Sequence, residues 1–150
     1  MSLKDRITDD MKAAMRARES GRLGTLRLLL AAIKQKEVDE RITVDDAQVL
    51  AIIEKLIKQR RDSIEQFQRA GRQDLVDTEQ AELAVLDAYR PEQAGDAEIA
   101  AAIAEAISAT GAAGPADMGK VMGVLKSKLA GRADMAAVSA RVREGLAAKG

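Results

Sequence analysis

The run from Val49 to Phe67 constrains this chain more than any other stretch. Val49, Ile52, Ile53, Leu56, Ile57, Ile64 and Phe67 recur at the three- and four-residue spacing that puts side chains on one helix face. Thr43 with Asp46 reads as a capping box that opens the helix, and Gly71 as the left-handed residue that stops it after about Ala70. A helix this long with one apolar face must lie against other elements, and the chain offers only more helices. Ser2 with Asp5 predicts a first helix with Leu3, Ile7, Met11 and Met15 inward, ending near Ser20 and Gly21. A second, from about Gly24 to Glu37, uses Leu26, Leu29, Leu30 and Ile33, and a fourth, from about Gln73 to Tyr89, uses Leu75, Val76, Leu83 and Leu86. No segment alternates apolar and polar residues with β-branched enrichment, so no strand is expected. The apolar content includes 29 alanines and only two aromatics, Phe67 and Tyr89, which favours helices packed at short distance around a thin core. The expected fold is all-α.

The chain changes character after residue 90. Residues 1–90 hold no proline and three glycines, whereas both prolines and eight glycines follow. Pro91 and Gly95 therefore mark a boundary between a helical N-terminal domain, 1–90, and a small three-helix domain, 91–150. In the second part Asp96 is expected to cap a helix carrying Ile99, Ile103 and Ile107. Gly114 and Pro115 begin the next in the N-cap and N1 manner, and Gly131 ends it. Asp134 caps the last, with Met135, Val138, Val142 and Leu146 inward.

Several chemistries are excluded by what is missing. Without cysteine there is no disulfide, thiolate metal site or thiol nucleophile, and without histidine the commonest general base and metal ligand are gone. Gly114 to Lys120, GPADMGK, has the spacing of a Walker A loop. Val121 stands where a magnesium-binding hydroxyl is needed, Asp117 would put a carboxylate among the phosphates, and no strand precedes it, so that assignment fails. No G-x-S-x-G or S-x-x-K motif occurs. The carboxylate pairs Glu79 with Glu82 and Asp45 with Asp46 read as solvated helix positions and not as a metal site. No catalytic residue, cofactor, metal or small-molecule substrate is expected. The N-terminus lacks an apolar leader and no run approaches 18 apolar residues, from which a soluble cytoplasmic protein with no membrane contact is expected.

Charge is balanced overall, 24 basic against 24 acidic side chains, but it is unevenly spread. Lys58, Arg60 and Arg61 lie on the long helix with Glu54, Asp62 and Glu65, and i,i+4 pairing of Glu54 with Lys58, Lys58 with Asp62 and Arg61 with Glu65 predicts a solvated, self-paired face. Residues 91–116 hold four acids and no base; residues 117–150 hold seven bases against three acids, a local +4 where an anionic partner would dock. Within this last stretch, Asp117 to Asp134 carries two faces. Met118, Val121, Met122, Leu125 and Leu129 form the apolar stripe, while Gly119, Gly123, Ser127 and Ala130 fall together elsewhere with Lys120 and Lys126 at the edges. Glycine inside a helix costs about 1 kcal/mol relative to alanine, so a bare surface here must serve something. Either another helix packs closely on it, or a phosphate backbone approaches it with the lysines as charge partners.

Three runs carry a family resemblance: KQRRDSIEQFQRAGRQDL from Lys58 to Leu75, ELAVLDAYRPEQ from Glu82 to Gln93, and ADMGKVMGVLKSKLAGRAD from Ala116 to Asp134. With MSLKDRITDDMKAAMRAR at the start they resemble the YqeY family along essentially the whole chain. The same region resembles the C-terminal part of the B subunit of the glutamine-dependent amidotransferase that converts misacylated Glu-tRNA or Asp-tRNA, a tail that holds the tRNA while the active sites lie elsewhere. The resemblance implies an all-α protein and a tRNA partner, or a tRNA-dependent amidotransferase or aminoacyl-tRNA synthetase. It also implies the family label of carbon–nitrogen ligase with glutamine as amido-N-donor, an activity for which this chain has no nucleophile or ATP site of its own. The two aromatics offer no base-stacking platform, which leaves recognition by shape and backbone. Lys120, Lys126, Lys128 and Arg132 are the expected RNA contacts, with Gly119 and Gly123 permitting close approach. The alternatives are a protein-interaction module using the same glycine face, and an amidotransferase component acting in trans.

Overall fold

The computed structural model describes residues 1–149, with side chains described for residues 1–148. Every regular element among them is helical: α1 (Leu3–Arg16), α2 (Ser20–Glu40), α3 (Asp46–Arg69), α4 (Gln73–Asp87), α5 (Asp96–Thr110), α6 (Met118–Leu129) and α7 (Met135–Lys149), with a single 3-10 turn at Pro115–Asp117. The chain divides into two compact units, Met1–Arg90 and Pro91–Gly150. Among the described residues no single helix is long and apolar enough to cross a membrane.

In the first unit Ser2 and Asp5 close the expected capping box on α1. The start of α3 is capped by Asp45 and Gln48, two residues along from the Thr43 expectation, because Asp45 accepts from the Gln48 N–H at 2.8 Å and Gln48 returns to the Asp45 N–H at 2.9 Å. Two helix ends escape the sequence pattern because they use arginine where glycine is usual. Arg18 (φ 58°) follows the C-cap of α1 and Arg41 (φ 54°) ends α2, both left-handed, so α1 stops sooner and α2 starts earlier and runs further than the glycines suggest. Each such residue stores about 1 kcal/mol of backbone strain that surrounding packing must offset.

Ile7, Leu26, Leu29, Ile33, Val49, Ile53, Ile57 and Leu86 form the core of this unit, all but inaccessible to water. Each is worth about 2 kcal/mol of burial. Polar ties fix the helices around it. Lys4 Nζ reaches Glu37 at 2.8 Å, and Glu37 also accepts the Val44 N–H at 3.1 Å, which together hold its carboxyl below the usual carboxylate range. The Tyr89 hydroxyl donates to Asp10 at 2.6 Å and Arg6 lies over its ring at 5.2 Å.

The expected self-paired face of α3 is rearranged. Arg60 is buried, with its Nε 3.3 Å from Glu82 of α4 and its Nη1 donating to the Leu56 carbonyl. Glu54 pairs at 3.0 Å with Arg90, whose side chain is 6% exposed, and Glu65 pairs with Arg69. At Glu54 and Arg60 tertiary partners take the place of helix neighbours, because a partly buried carboxylate interacts more strongly with a desolvated guanidinium than with a mobile surface lysine, whereas Glu65 keeps an i,i+4 partner but finds it in Arg69 and not in Arg61.

In the second unit Ala102, Ile103, Ala106 and Ile107 of α5 meet Val121, Leu125 and Leu129 of α6 and Val138, Val142 and Leu146 of α7. Gly95, not Asp96, is the N-cap of α5, and Asp96 sits in its first turn. Gly114 and Pro115 open the 3-10 turn instead of α6 itself, and Asp134 caps α7 by accepting the Ala136 N–H at 3.0 Å.

Candidate nucleic-acid interface

α6 carries the residues that sequence singled out. Its inner face is fixed by Val121, Leu125 and Leu129, all fully buried, with Met118 and Met122 partly buried beside them. The opposite face is thereby turned outward. Gly119, Gly123, Ser127 and Ala130 are exposed along it. A Cβ added at Gly119 or Gly123 would meet nothing within 4 Å, so no helix of the described chain packs on these glycines. Close packing within the unit therefore does not explain them. The Ser127 hydroxyl donates back to the Gly123 carbonyl at 3.4 Å, which leaves its oxygen facing out.

Lys120 and Lys126 stand exposed at the edges of this strip. Lys120 Nζ is 3.8 Å from Asp117, a loose contact with its side chain still 69% exposed, and Lys126 makes no ion pair among the described residues. The other two expected contacts are differently employed. Lys128 Nζ sits 2.8 Å from Glu105 of α5, whose carboxyl is held below its ordinary value by that hydrogen bond and charge. Arg132 donates from Nε to the Glu92 carbonyl at 2.9 Å and pairs with Glu98 at 2.7 Å, while its own carbonyl accepts the Ala94 N–H at 2.8 Å. It is a clasp that ties residues 92–98 to the end of α6. Arg141 lies 3.9 Å from Asp96.

The local +4 read along the sequence is thus largely answered in space. The acids of residues 91–116 fold back onto the bases of residues 117–150, and the cations left outward on α6 are Lys120 and Lys126, between which the backbone is bare. Sequence spacing could not reveal this, since the partners are 23 to 45 positions apart. Pattern reading also missed Val124, a 40% exposed valine beside Gly123.

The turn before α6 cannot cradle phosphate. The Asp117 carboxylate folds back to accept the Ala113 N–H at 2.9 Å, which holds it below the usual carboxylate range and keeps a negative charge where a P-loop presents bare N–H groups. Among the described residues no three His, Cys, Asp or Glu side chains gather as a metal site.

The family model described as Yqey-like protein matches residues 4–146. Among curated proteins, altered inheritance of mitochondria protein 41, mitochondrial, of Pyrenophora tritici-repentis is 35% identical over 147 residues, 96% of this chain and 81% of that protein. The protein of the same name from Eremothecium gossypii is 43% identical over 84 residues, 55% of this chain and 46% of its own length. That from Lachancea thermotolerans is 36% identical over 105 residues, 68% of this chain and 56% of its own length. The chain thus spans about half the length of these last two relatives. Their names also overturn the cytoplasmic expectation, since the relatives are named as mitochondrial proteins. The physical reason is that the signals used for it were not specific: mitochondrial targeting segments are amphipathic and Arg-rich, so the lack of an apolar leader or a long apolar run does not separate the two compartments.

Proposed function

The chain belongs to the YqeY-like protein family, and from that premise we propose that it is a non-catalytic tRNA-binding accessory protein that holds RNA backbone on the outer face of α6. The observation that carries this is the open strip over Gly119 and Gly123, flanked by Lys120 and Lys126 and covered by nothing in the described chain. A bare helix surface lets phosphates and 2′-hydroxyls come within hydrogen-bond reach of backbone and Ser127, and the two ammonium groups supply the counter-charge. The resemblance to the tail of the tRNA-dependent amidotransferase B subunit supports tRNA as the class of ligand. Lys128 and Arg132 act in this proposal through the fold, setting α6 against α5 and residues 92–98.

The test is a titration of the whole chain against total tRNA at several salt concentrations, beside Lys120→Glu/Lys126→Glu. A binding constant that falls steeply with salt, with a slope the variant lowers by about 2, is the expected result. Identical slopes for the two proteins would remove α6 from the interface. A second function is favoured by the exposed Val124 beside Gly123, which suits a partner helix packed on the same strip. Gly123→Leu would then abolish a protein complex and leave salt-sensitive RNA binding intact. An amidotransferase role in trans would instead give activity only on mixing with amidase and kinase subunits.

A further inference from the structure

We infer that the turn between α1 and α2 forms a second phosphate-backbone contact, in which Lys12, Arg16, Arg18 and Arg27 bind RNA. The inference rests on RNA being the ligand, but on different residues from those of α6. Between Met11 and Leu28 the sequence holds five bases, Lys12, Arg16, Arg18, Arg22 and Arg27, against one acid, Glu19. Folding concentrates them. α1 ends at Arg16, the left-handed Arg18 reverses the chain, and α2 begins at Ser20, so all five lie within about two helical turns, roughly 11 Å of axis, of the reversal. Lys12 and Arg16 are four residues apart and share a face of α1. Arg27 comes across from α2, its Nη2 3.8 Å from the Met15 sulfur.

The acids nearby do not answer this charge. Glu19 lies 3.7 Å from Arg22, and Asp10 on α1 takes the Tyr89 hydroxyl. Lys12, Arg16, Arg18 and Arg27 are exposed, and none makes an ion pair or a hydrogen bond to a carboxylate among the described residues. Asp5 and Asp9 stand one to two turns back along α1, and Asp5 is engaged in the capping box. This contrasts with the second unit, where folding pairs Lys128, Arg132 and Arg141 with acids. Like charges held together on one hairpin repel, and the repulsion is relieved by a polyanion. The composition of the cluster points the same way, because three guanidinium forks match phosphate oxygens bidentately. Gly21 and Gly24 on the first turns of α2 are exposed with open space where a side chain would stand, so a backbone ligand can approach there too. A protein partner fits less well, since the cluster offers no aromatic anchor.

The experiment compares wild type, Lys120→Glu/Lys126→Glu and Arg16→Gln/Arg18→Asn/Arg27→Gln, each as the whole chain, by fluorescence anisotropy with labelled total tRNA across salt. Asparagine is chosen at position 18 because it tolerates the left-handed backbone. The arginine variant is expected to lower the salt slope by about 2 to 3 and weaken binding at least tenfold, with an unchanged melting curve since the side chains are exposed and unpaired. A variant that melts early is replaced by Arg16→Gln/Arg27→Gln, for which a slope lowered by about 2 is expected and an unchanged slope overturns the inference. An unchanged slope in a folded triple variant overturns the inference and leaves the α6 assignment standing. A lowered slope here with no effect at Lys120 and Lys126 supports it and overturns the α6 assignment. No tRNA binding by wild type, or binding to anionic phospholipid vesicles in its place, overturns both.

Discussion

Replacing Gly119 and Gly123 together by alanine separates folding from function. Both sites have helical backbone and nothing within 4 Å of an added Cβ, so the substitution meets no clash and gains helix propensity. Gly123 is in the interior of α6 and should gain about 1 kcal/mol; Gly119 is in the first turn, where fewer intrahelical bonds depend on it, and should gain about 0.5 kcal/mol. The expected stabilisation is therefore about 1.5 kcal/mol, and a unit of this size moves its melting midpoint by about 4–8 °C per kcal/mol. Circular dichroism melts and urea titrations measure that change, and tRNA anisotropy at several salts measures the function. If the bare strip serves a ligand, the variant is more stable and binds more weakly, because two methyl groups hold the phosphates off the backbone. A variant that is destabilised would refute the structural premise of an uncovered face. One that is stabilised and binds normally would refute the functional premise that the glycines are there for approach.

Other consequences are tested more briefly. Tyr89 is the only tyrosine and there is no tryptophan, so its ionisation can be followed by absorbance without interference. Burial, reinforced by the hydrogen bond to Asp10, pushes its hydroxyl from 10.0 up to about 12. The folded state keeps the proton where the unfolded chain loses it, so stability falls as pH rises from about 10 to 12, and Tyr89→Phe should abolish that slope; ionisation near 10 in the folded protein would show the hydroxyl neither buried nor bonded to Asp10. Arg60→Met should lower the urea-derived stability by about 1–2 kcal/mol through loss of the Glu82 pair, an effect a merely solvated arginine would not give. Arg132→Ala should cost about 1–2 kcal/mol by removing the clasp on the Glu92 carbonyl and Glu98, and a neutral result would return Arg132 to the pool of ligand contacts.

The fold was legible wherever one physical rule acted alone. Helical periodicity placed Val49, Ile53 and Ile57 inward, and they are buried; the Ser2 and Asp5 box and the Gly71 stop needed only local backbone chemistry, and they form as expected, with Gly71 at φ 70°. It was illegible where tertiary packing overrode a local preference. Arg18 and Arg41 adopt a left-handed backbone that glycine would take more cheaply, so no composition rule announces the ends of α1 and α2. Arg60 reads as a member of a solvated run, yet it is buried with Glu82 of α4 beside it, and Glu54, assigned by spacing to Lys58, goes instead to Arg90.

Charge shows the same division at the candidate site. A run of bases in sequence becomes a docking surface only if folding brings it no acids, and that condition depends on contacts between residues far apart in the chain. For residues 117–150 the condition fails at Lys128, Arg132 and, more loosely, Arg141; Lys120 keeps only a long local contact with Asp117, and Lys126 and Arg143 are exposed with no ion pair among the described residues, so on α6 a narrow strip is left instead of a broad patch. For residues 11–28 it holds at Lys12, Arg16, Arg18 and Arg27, although the whole of residues 1–90 is electrically balanced and offered no reason to look there. A protein with no net charge can still attract a polyanion when its acids are spent internally and its bases are not, because exposed charges farther apart than a Debye length, about 8 Å at physiological salt, act almost independently. Binding by this chain should accordingly be weak at high salt, and its salt slope should count unpaired cations and not the total of 24 basic side chains. A slope that responded to Lys128→Gln as strongly as to Lys126→Gln would show the Glu105 pair giving way to the ligand, and would return the whole basic run to the interface.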